Sequence, residues 1–362
     1  MTIIIFLAVL AVLILVHEFG HFITAKKLGI RVDEFGLGFP PRAVGLKRGE
    51  TIYSLNWIPF GGFVKIFGED PDAESIDGPD RHRSFVHKPR WVQATVLLAG
   101  IGCNILFAWL LLSVGFMIGQ PTAIGDAAVD VSETYIAITG VEPGSPAEAA
   151  GLQTGDQIVS LARGEETIMV ESVEDVRTFV SSGEETPVQI VYTRDGEVFS
   201  ANVQPMTGIV SGRPAIGIAM DAVGIVRLPP HRAIIMGATA TGDIFIRTID
   251  GFGTLIADLF RGRADLEQVS GPIGIAVFVG NAADFGFVYL MSFVAFISIN
   301  LAVINLIPFP ALDGGRVLFV ALEAIRRRPI NPQVANTVNA VGFVLLIGLM
   351  LVVTYGDIVR LF

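Results

Sequence analysis

Long uncharged runs alternate along the chain with ordinary polar stretches. Four of these runs reach the roughly 20 largely apolar residues that a membrane-spanning helix needs. They cover residues 2–24, 91–118, 285–306 and 334–353. Only His17, Glu18 and His21 interrupt the first run. The pattern predicts a polytopic α-helical membrane protein with about four transmembrane helices, in an N-terminal membrane region (1–121) and a C-terminal membrane region (285–362).

The first run differs from a cleaved signal peptide. A signal peptide carries positive charge before its apolar stretch. Here the first basic residues, Lys26 and Lys27, follow the stretch. We therefore expect this segment to remain in the protein as a membrane span.

The composition supports a membrane protein and argues against a nucleic-acid partner. Hydrophobic residues make up 52% of the 362 residues and charged residues 17%, whereas globular proteins carry about 25% charged residues. The net charge of -10 gives no reason to expect nucleic-acid binding. The lipid bilayer is the expected environment. The single cysteine, Cys103, cannot form an internal disulfide, and it lies in an apolar run typical of a buried thiol.

The distribution of basic residues predicts the orientation of the spans. Lysines and arginines are frequent between the first two spans, and a second cluster, Arg326 to Arg328, lies between the last two. Because cytoplasmic loops carry the excess of positive charge, both loops are expected to be cytoplasmic. The two termini and the long segment at 119–284 then face the opposite side.

The first cytoplasmic loop contains a stretch with strand character. Residues 51–70 read TIYSLNWIPFGGFVKIFGED and are centred on Gly61-Gly62. This pattern predicts strands or a β-hairpin, with a close backbone approach at the glycines. The hairpin either enters the membrane face beside the first helix, where protein or a wet cavity must cover its backbone, or is a soluble hairpin on the cytoplasmic surface.

The segment between the second and third spans divides into two parts. Residues 122–222 predict an α+β domain with short helices at 147–150 and 172–181 and strands at 188–193 and 198–204. Its most specific stretch, GSPAEAAGLQTGDQI, begins at Gly144 and resembles a PDZ domain of the circularly permuted bacterial type. Residues 223–284 are amphipathic and predict a helix at the membrane surface, followed by a turn in the SGPIG sequence (Ser270 to Gly274).

The residues that interrupt the first span form the sequence HEFGH. Two histidines four residues apart lie on one face of a helix, so the imidazoles of His17 and His21 can reach one ion. Glu18 is close enough to act on a water bound there, as in helical zinc peptidases. A chance match is disfavoured because ionisable side chains are costly within a bilayer. A metal-transport site with the same ligands stays open.

A third ligand is expected near the end of the third span. That span ends in NLIPFPALDGG, where two prolines interrupt the helix before Asp313. In the predicted topology the first and third spans run in the same direction, so Asp313 reaches the membrane depth of His17 and His21. A helix-terminating aspartate at the water interface is the alternative, but the HEFGH sequence favours a ligand.

These features together resemble the site-2 protease family, in its bacterial RseP-like group. The resemblance covers nearly the whole chain and implies a zinc metalloendopeptidase in which His17, His21 and Asp313 bind Zn²⁺ and Glu18 is the catalytic acid/base. It also implies that the loop at Gly61, Gly62, Phe63, Val64 and Lys65, together with Asn305, holds an extended substrate. One departure is that family members usually carry a glycine-proline pair before an asparagine in the second span, whereas this chain reads GIGCN up to Asn104.

The resemblance further implies the biological setting. We expect a multi-pass protein of the cell inner (cytoplasmic) membrane, with the termini and the PDZ-like domain extracytoplasmic and the active site toward the cytoplasmic leaflet. The expected substrates are single-span membrane proteins in regulated intramembrane proteolysis. Relatives typically require that another protease trims the substrate first, and the sequence leaves this requirement open here. The PDZ-like domain either binds a peptide or substrate segment or acts as a size filter. The alternative functions are a membrane metal transporter or sensor, and an inactive PDZ scaffold.

Overall fold

The computed structural model describes residues 2–70, 73–123, 134–183, 186–194, 196–210, 213–263 and 270–361. The chain divides into two compact units. The first comprises Met1–Ser113, Ile234–Ala283 and Leu290–Phe362, and the second comprises Val114–Ala233 and Asp284–Tyr289. Every residue of the predicted metal site belongs to the first unit, so the site can be described within one body.

Four helices of the described chain are long and apolar enough to cross a membrane. They are α1 (Thr2–Lys27), α3 (Arg90–Ile118), α8 (Phe287–Leu306) and α10 (Pro332–Leu361). The chain is thus a polytopic membrane protein, as the apolar runs predicted. The helices extend beyond those runs mainly in α1 and α10, where the last turns contain basic residues. Cations are favourable there because the C-terminal end of a helix carries partial negative charge.

A β-sheet built from two long strands follows α1. Strand β1 (Val32–Arg48) and strand β2 (Thr51–Ile66) pair antiparallel. The turn between them is formed by Gly49 and Glu50, and Gly49 has a φ of 65°. Only glycine adopts this region without strain. Of the two predicted alternatives, the strand is confirmed and a hairpin turn at Gly61-Gly62 is wrong, because these glycines lie inside β2.

The start of β1 lies in the middle of this sheet. Phe35, for example, pairs with Val64 on one side and with Tyr53 on the other, and the neighbouring residues from Glu34 to Leu37 repeat this double pairing. The last part of β1 folds back to pair with residues 51–56. Residues 62–66 of β2 consequently form an outer strand of the sheet.

The remaining helices of the first unit connect the spans. They are α2 (Ala73–Asp77), α6 (Pro230–Phe260), α7 (Pro272–Asp284) and α9 (Asp313–Arg326). Helix α6 is continuous over 31 residues, in agreement with the predicted amphipathic helix. The predicted turn over Ser270 to Gly274 is wrong for its last three residues, because α7 already begins at Pro272. Proline is favoured in the first turn of a helix, where its missing N–H costs nothing.

The second unit is an α+β structure. Its main sheet has the strand order β3-β11-β4-β5-β7-β8, with β6 paired to β5. The strands are β3 (Gln120–Ala123), β4 (Thr134–Val141), β5 (Gln157–Arg163), β6 (Glu166–Met169), β7 (Val188–Arg194), β8 (Glu197–Val203) and β11 (Ile218–Val226), and a separate pair is formed by β9 (Met206–Val210) and β10 (Arg213–Ala215). The predicted strands at 188–193 and 198–204 correspond to β7 and β8.

Two short helices complete this unit. Helix α4 (Pro146–Ala149) begins after Ser145, whose hydroxyl accepts a hydrogen bond from the Glu148 amide at 3.3 Å. Helix α5 (Val173–Ser182) begins with a capping box between Ser172 and Asp175. Its apolar face packs on the sheet in a core that includes Ile136, Leu161, Val176, Phe179, Val188 and Ile190.

Candidate metal centre

Three potential ligand atoms meet at one point in the first unit. His17 Nε2 lies 2.9 Å from Asp313 Oδ2 and 3.2 Å from His21 Nε2. His21 Nε2 lies 3.3 Å from the same Asp313 oxygen. All three residues are largely buried. The two histidines are one helical turn apart on α1, and Asp313 is the first residue of α9, so two distant segments converge on this point.

The separations of these atoms fit a zinc ion. Zinc binds histidine nitrogen and carboxylate oxygen at about 2.0–2.2 Å and prefers tetrahedral geometry, which places neighbouring ligand atoms roughly 3.3 Å apart. The three observed separations of 2.9, 3.2 and 3.3 Å are close to this value. Three protein ligands leave a fourth position for water or substrate, which is the arrangement of a catalytic rather than a structural zinc site.

Two glycines position Asp313. A side chain on Gly314 would come within 2.6 Å of the Leu306 carbonyl carbon, and one on Gly315 within 2.7 Å of the Phe309 carbonyl carbon. The start of α9 therefore packs directly on the backbone that follows α8. The DGG sequence brings the carboxylate to the centre by removing the side chains that would hold the two segments apart.

Residues of helix α3 contact the imidazole rings of both histidines. His21 Nδ1 lies 2.9 Å from the Val96 carbonyl oxygen, so it donates its hydrogen there and directs the Nε2 lone pair toward the cluster. Gly100 faces both imidazoles, since a side chain there would come within 2.8 Å of His21 Cε1 and 2.9 Å of His17 Cε1. Asn104, one turn further along α3, has its side-chain amide 3.2 Å from His17 Nδ1.

Glu18 lies beside the outer strand of the sheet. Its carboxylate lies near the Val64 backbone amide. A side chain on Gly62 would lie 3.5 Å from Glu18 Cγ and 3.2 Å from Ile14. The missing side chain of Gly62 therefore lets β2 approach α1 at the position next to the metal cluster.

The other residues predicted to hold substrate are more dispersed. Gly61, Phe63 and Lys65 lie in β2 with Gly62 and Val64, and Lys65 is exposed. Asn305 is half-buried near the end of α8, and within the described part of the chain it makes no hydrogen bond to the histidines or to Asp313. The structure thus brings Gly62 and Val64 next to Glu18 but does not join Asn305 to the cluster.

A charged pair links the end of the sheet to the helix that carries Asp313. Glu69, just after β2, accepts a hydrogen bond from Arg316, one turn into α9. Burial raises the pKa of Glu69 above its ordinary value, and the Arg316 guanidinium opposes this shift. The pair holds α9 against the segment that follows β2. No sequence signal distinguished these two residues from other surface charges.

Gly100 was not predicted to belong to the site, and Asn104 was assigned no role from the sequence. One signal was present: the two residues are four apart in an apolar run, so they share a helix face just as His17 and His21 do. Nothing in the sequence alone shows that these two faces oppose one another.

The comparison with known proteins agrees with this geometry. The model of peptidase family M50 matches residues 5–349. A protein from Nostoc sp., provisionally named a zinc metalloprotease, is 36% identical over 95% of this chain and 92% of its own length. The zinc metalloprotease RasP of Geobacillus kaustophilus is 30% identical over 100% of this chain and 98% of its own length. RasP of Shouchella clausii is 28% identical over 100% and 99%.

The chain belongs to peptidase family M50 and is an intramembrane zinc metalloprotease. This result confirms the predicted family, activity and zinc cofactor. It also favours peptidase activity over the two alternative functions, a membrane metal transporter or sensor and an inactive PDZ scaffold.

Proposed function

We propose that this protein cleaves single-span membrane proteins within or near the bilayer, with His17, His21 and Asp313 as the zinc ligands and Glu18 as the general base. The observation that carries the proposal is the convergence of three ligand atoms within 4.8 Å of one another, with a carboxylate at the next position of α1. An isolated ionisable cluster in a membrane helix is costly, and chemistry is the usual reason for retaining one.

Each residue has a defined part in peptide hydrolysis. His17, His21 and Asp313 would hold the zinc ion, which would supply polarisation of the scissile carbonyl and a lowered pKa for the attacking water. Glu18 would take a proton from the water that attacks the carbonyl carbon and would then deliver it to the nitrogen of the leaving amine. Gly62 of β2 packs against Glu18, so the base lies beside the strand to which the substrate is proposed to add.

The substrate is proposed to add to the outer strand of the sheet. A transmembrane helix must unwind before cleavage, because its backbone amides are already bonded and its carbonyls are shielded. An extended segment placed alongside residues 62–66 would bond its freed backbone groups to the edge of β2. This places its scissile bond close to Glu18. Asn305 serves as a further contact, either to the substrate backbone or to the oxyanion that develops during attack.

The second unit is proposed to be a PDZ domain. The GSPAEAAGLQTGDQI stretch that resembles such domains forms α4 and the turn before β5, and the capped helix α5 packs on the same sheet. A domain of this kind can bind an extended peptide by strand addition. It can also exclude substrates whose extracytoplasmic part is too large. The second role would favour substrates that another protease has already trimmed.

The orientation follows from charge. The basic loops between the first two and the last two spans are proposed to be cytoplasmic, which places the metal centre toward the cytoplasmic leaflet of the inner membrane. The second unit then belongs to the extracytoplasmic side.

Replacement of Glu18 tests the mechanism. The variant Glu18→Gln removes the base but keeps the size of the side chain, so it should retain one zinc ion per chain and cleave a model membrane substrate at least 100-fold more slowly. Glu197→Gln, an exposed change in β8, is the matched control and should cleave normally. Normal cleavage by Glu18→Gln would contradict the role of the base. A wild-type zinc content near zero, unchanged in Asp313→Ala, would contradict the ligand set.

A further inference from the structure

Asn104 occupies a buried position that the proposed mechanism does not use. The residue lies in the middle of α3 and is 0% exposed. Its Nδ2 atom lies 3.2 Å from His17 Nδ1, whereas its Oδ1 atom has no hydrogen-bond partner. The Ser298 hydroxyl donates to the Asn104 backbone carbonyl at 2.9 Å, which ties this turn of α3 to α8. A buried amide oxygen without a partner requires an explanation.

The chemistry of His17 supplies that explanation. Its Nε2 atom faces Asp313 and His21. A neutral imidazole that uses the Nε2 lone pair for a metal carries its hydrogen on Nδ1. The partner of Nδ1 must then be an acceptor. A 180° rotation of the Asn104 amide exchanges Oδ1 and Nδ2 in space. This rotation gives the buried oxygen a donor and gives the His17 hydrogen an acceptor.

We infer that Asn104 is a positioning residue for the metal centre, whose Oδ1 accepts a hydrogen bond from His17 Nδ1–H. The inference rests on the proposed role of His17 as a zinc ligand. Asn104 Oδ1 then has the same role for His17 as the Val96 carbonyl oxygen has for His21, whose Nδ1 it accepts a hydrogen bond from at 2.9 Å. One turn of α3 separates it from Gly100, which faces both rings. Helix α3 thus sets the tautomer and orientation of both histidines, although it contributes no ligand.

This role predicts a specific order among variants of Asn104. Loss of such an outer partner typically weakens metal binding by about 10–100-fold. Asn104→Leu keeps the volume but removes the acceptor, and Asn104→Ala removes it without adding atoms. Both should weaken zinc binding by about this factor. Asn104→Asp retains an oxygen acceptor and should bind zinc within about threefold of wild type, because carboxylates commonly accept from metal-bound histidines.

Zinc affinity, measured on the full-length protein in detergent by competition with a chelator, tests the order without reference to activity. Ser113→Ala is the control, since Ser113 is also buried in α3 and its hydroxyl has no partner in the described structure; its zinc affinity should be unchanged. Wild-type affinity in Asn104→Leu would overturn the inference. Equal losses in Asn104→Asp and Asn104→Leu would also overturn it.

Two further results separate the possible causes of failure. If His17→Ala keeps zinc as tightly as wild type, the proposed ligand set is wrong. If His17→Ala loses zinc while Asn104→Leu keeps it, only the role of Asn104 is wrong. If both Asn104→Leu and Asn104→Ala fail to elute as folded protein in size-exclusion chromatography without zinc, Asn104 is a packing residue and the inference is overturned.

Discussion

Gly100 allows the strongest quantitative test of the metal centre, because its missing side chain creates the space that both imidazoles occupy. A methyl group at this position would come within 2.8 Å of His21 Cε1 and 2.9 Å of His17 Cε1. Ordinary contacts between carbon atoms begin at about 3.5 Å. In Gly100→Ala the two rings must therefore move away by about 0.6–0.7 Å, or α3 must move by the same amount. Either shift separates the ligand atoms from their present positions.

The cost of this shift can be estimated. A displacement of about 1 Å in a catalytic group lowers the rate by about 100-fold, which corresponds to about 2.7 kcal/mol of transition-state stabilisation. We expect Gly100→Ala to lower kcat/KM for a model membrane substrate by about 30- to 100-fold. Zinc should also be released at a lower chelator concentration, because the same movement disturbs two of the three proposed ligands.

Gly102 provides the matched control. It lies two residues further along α3, and a side chain there meets nothing within 4 Å. Alanine is a better helix former than glycine by about 1 kcal/mol, so Gly102→Ala should raise the thermal stability slightly and leave zinc content and cleavage unchanged. The assays are metal analysis of purified protein, cleavage kinetics in detergent and thermal unfolding of the two variants in parallel.

Two results would refute the reasoning. Cleavage by Gly100→Ala within twofold of wild type would mean that the rings and α3 are not in contact as described. An equal loss of activity in Gly102→Ala would mean that alanine in this part of α3 disturbs the helix in a general way, and the effect could not be attributed to the imidazoles.

Two other predictions concern parts of the fold outside the centre. The Asp175 carboxylate accepts hydrogen bonds from the amides of Glu171 and Ser172, which hold the pKa of Asp175 below its ordinary value of 3.8. The stability that the ionised carboxylate contributes is present above pH 3.8 and is lost as the pH falls through the folded-state pKa. In thermal unfolding, Asp175→Asn should therefore be less stable than wild type at pH 7 and indistinguishable from it in strong acid. The Asp357 carboxylate accepts a hydrogen bond from the Gly271 amide through one oxygen and from the Gly274 amide through the other. Asp357→Asn keeps one acceptor, so it should unfold at a temperature between those of wild type and Asp357→Ala. Equal unfolding temperatures for all three proteins would contradict the described contact.

The sequence was sufficient for features that depend on local chemistry or on length. The four spans were predictable because a bilayer imposes a minimum apolar length. The histidine pair was predictable because a helix places residues four apart on one face. Asp313 could be proposed as their partner only because the orientation of the spans restricts the membrane depth of each residue.

The β-sheet shows where such prediction failed. Gly61-Gly62 was interpreted as a turn because glycine pairs are common in turns. The actual turn uses Gly49 and Glu50, in the stretch KRGET, where Gly49 supplies the positive φ. The predicted close approach is confirmed at Gly62, which allows β2 to pack against Ile14 and Glu18. Which of the two reasons applies to a glycine depends on its neighbours in space, and the sequence does not specify them.

The same limit explains why the supporting residues of the metal centre were missed. Three glycines allow other segments to approach α1 at the HEFGH turn: Gly20 packs on Ala99 of α3, Gly100 packs on the two imidazoles, and Gly62 brings β2 to Glu18. Small residues let membrane helices approach closely, and here they bring α3 near enough for its carbonyl and amide groups to contact the histidines. The chain has 40 glycines, and Gly102 faces open space although it lies beside Gly100. The ligands are recognisable from their chemistry, whereas the residues that orient them are defined only by how closely α1, α3 and β2 pack.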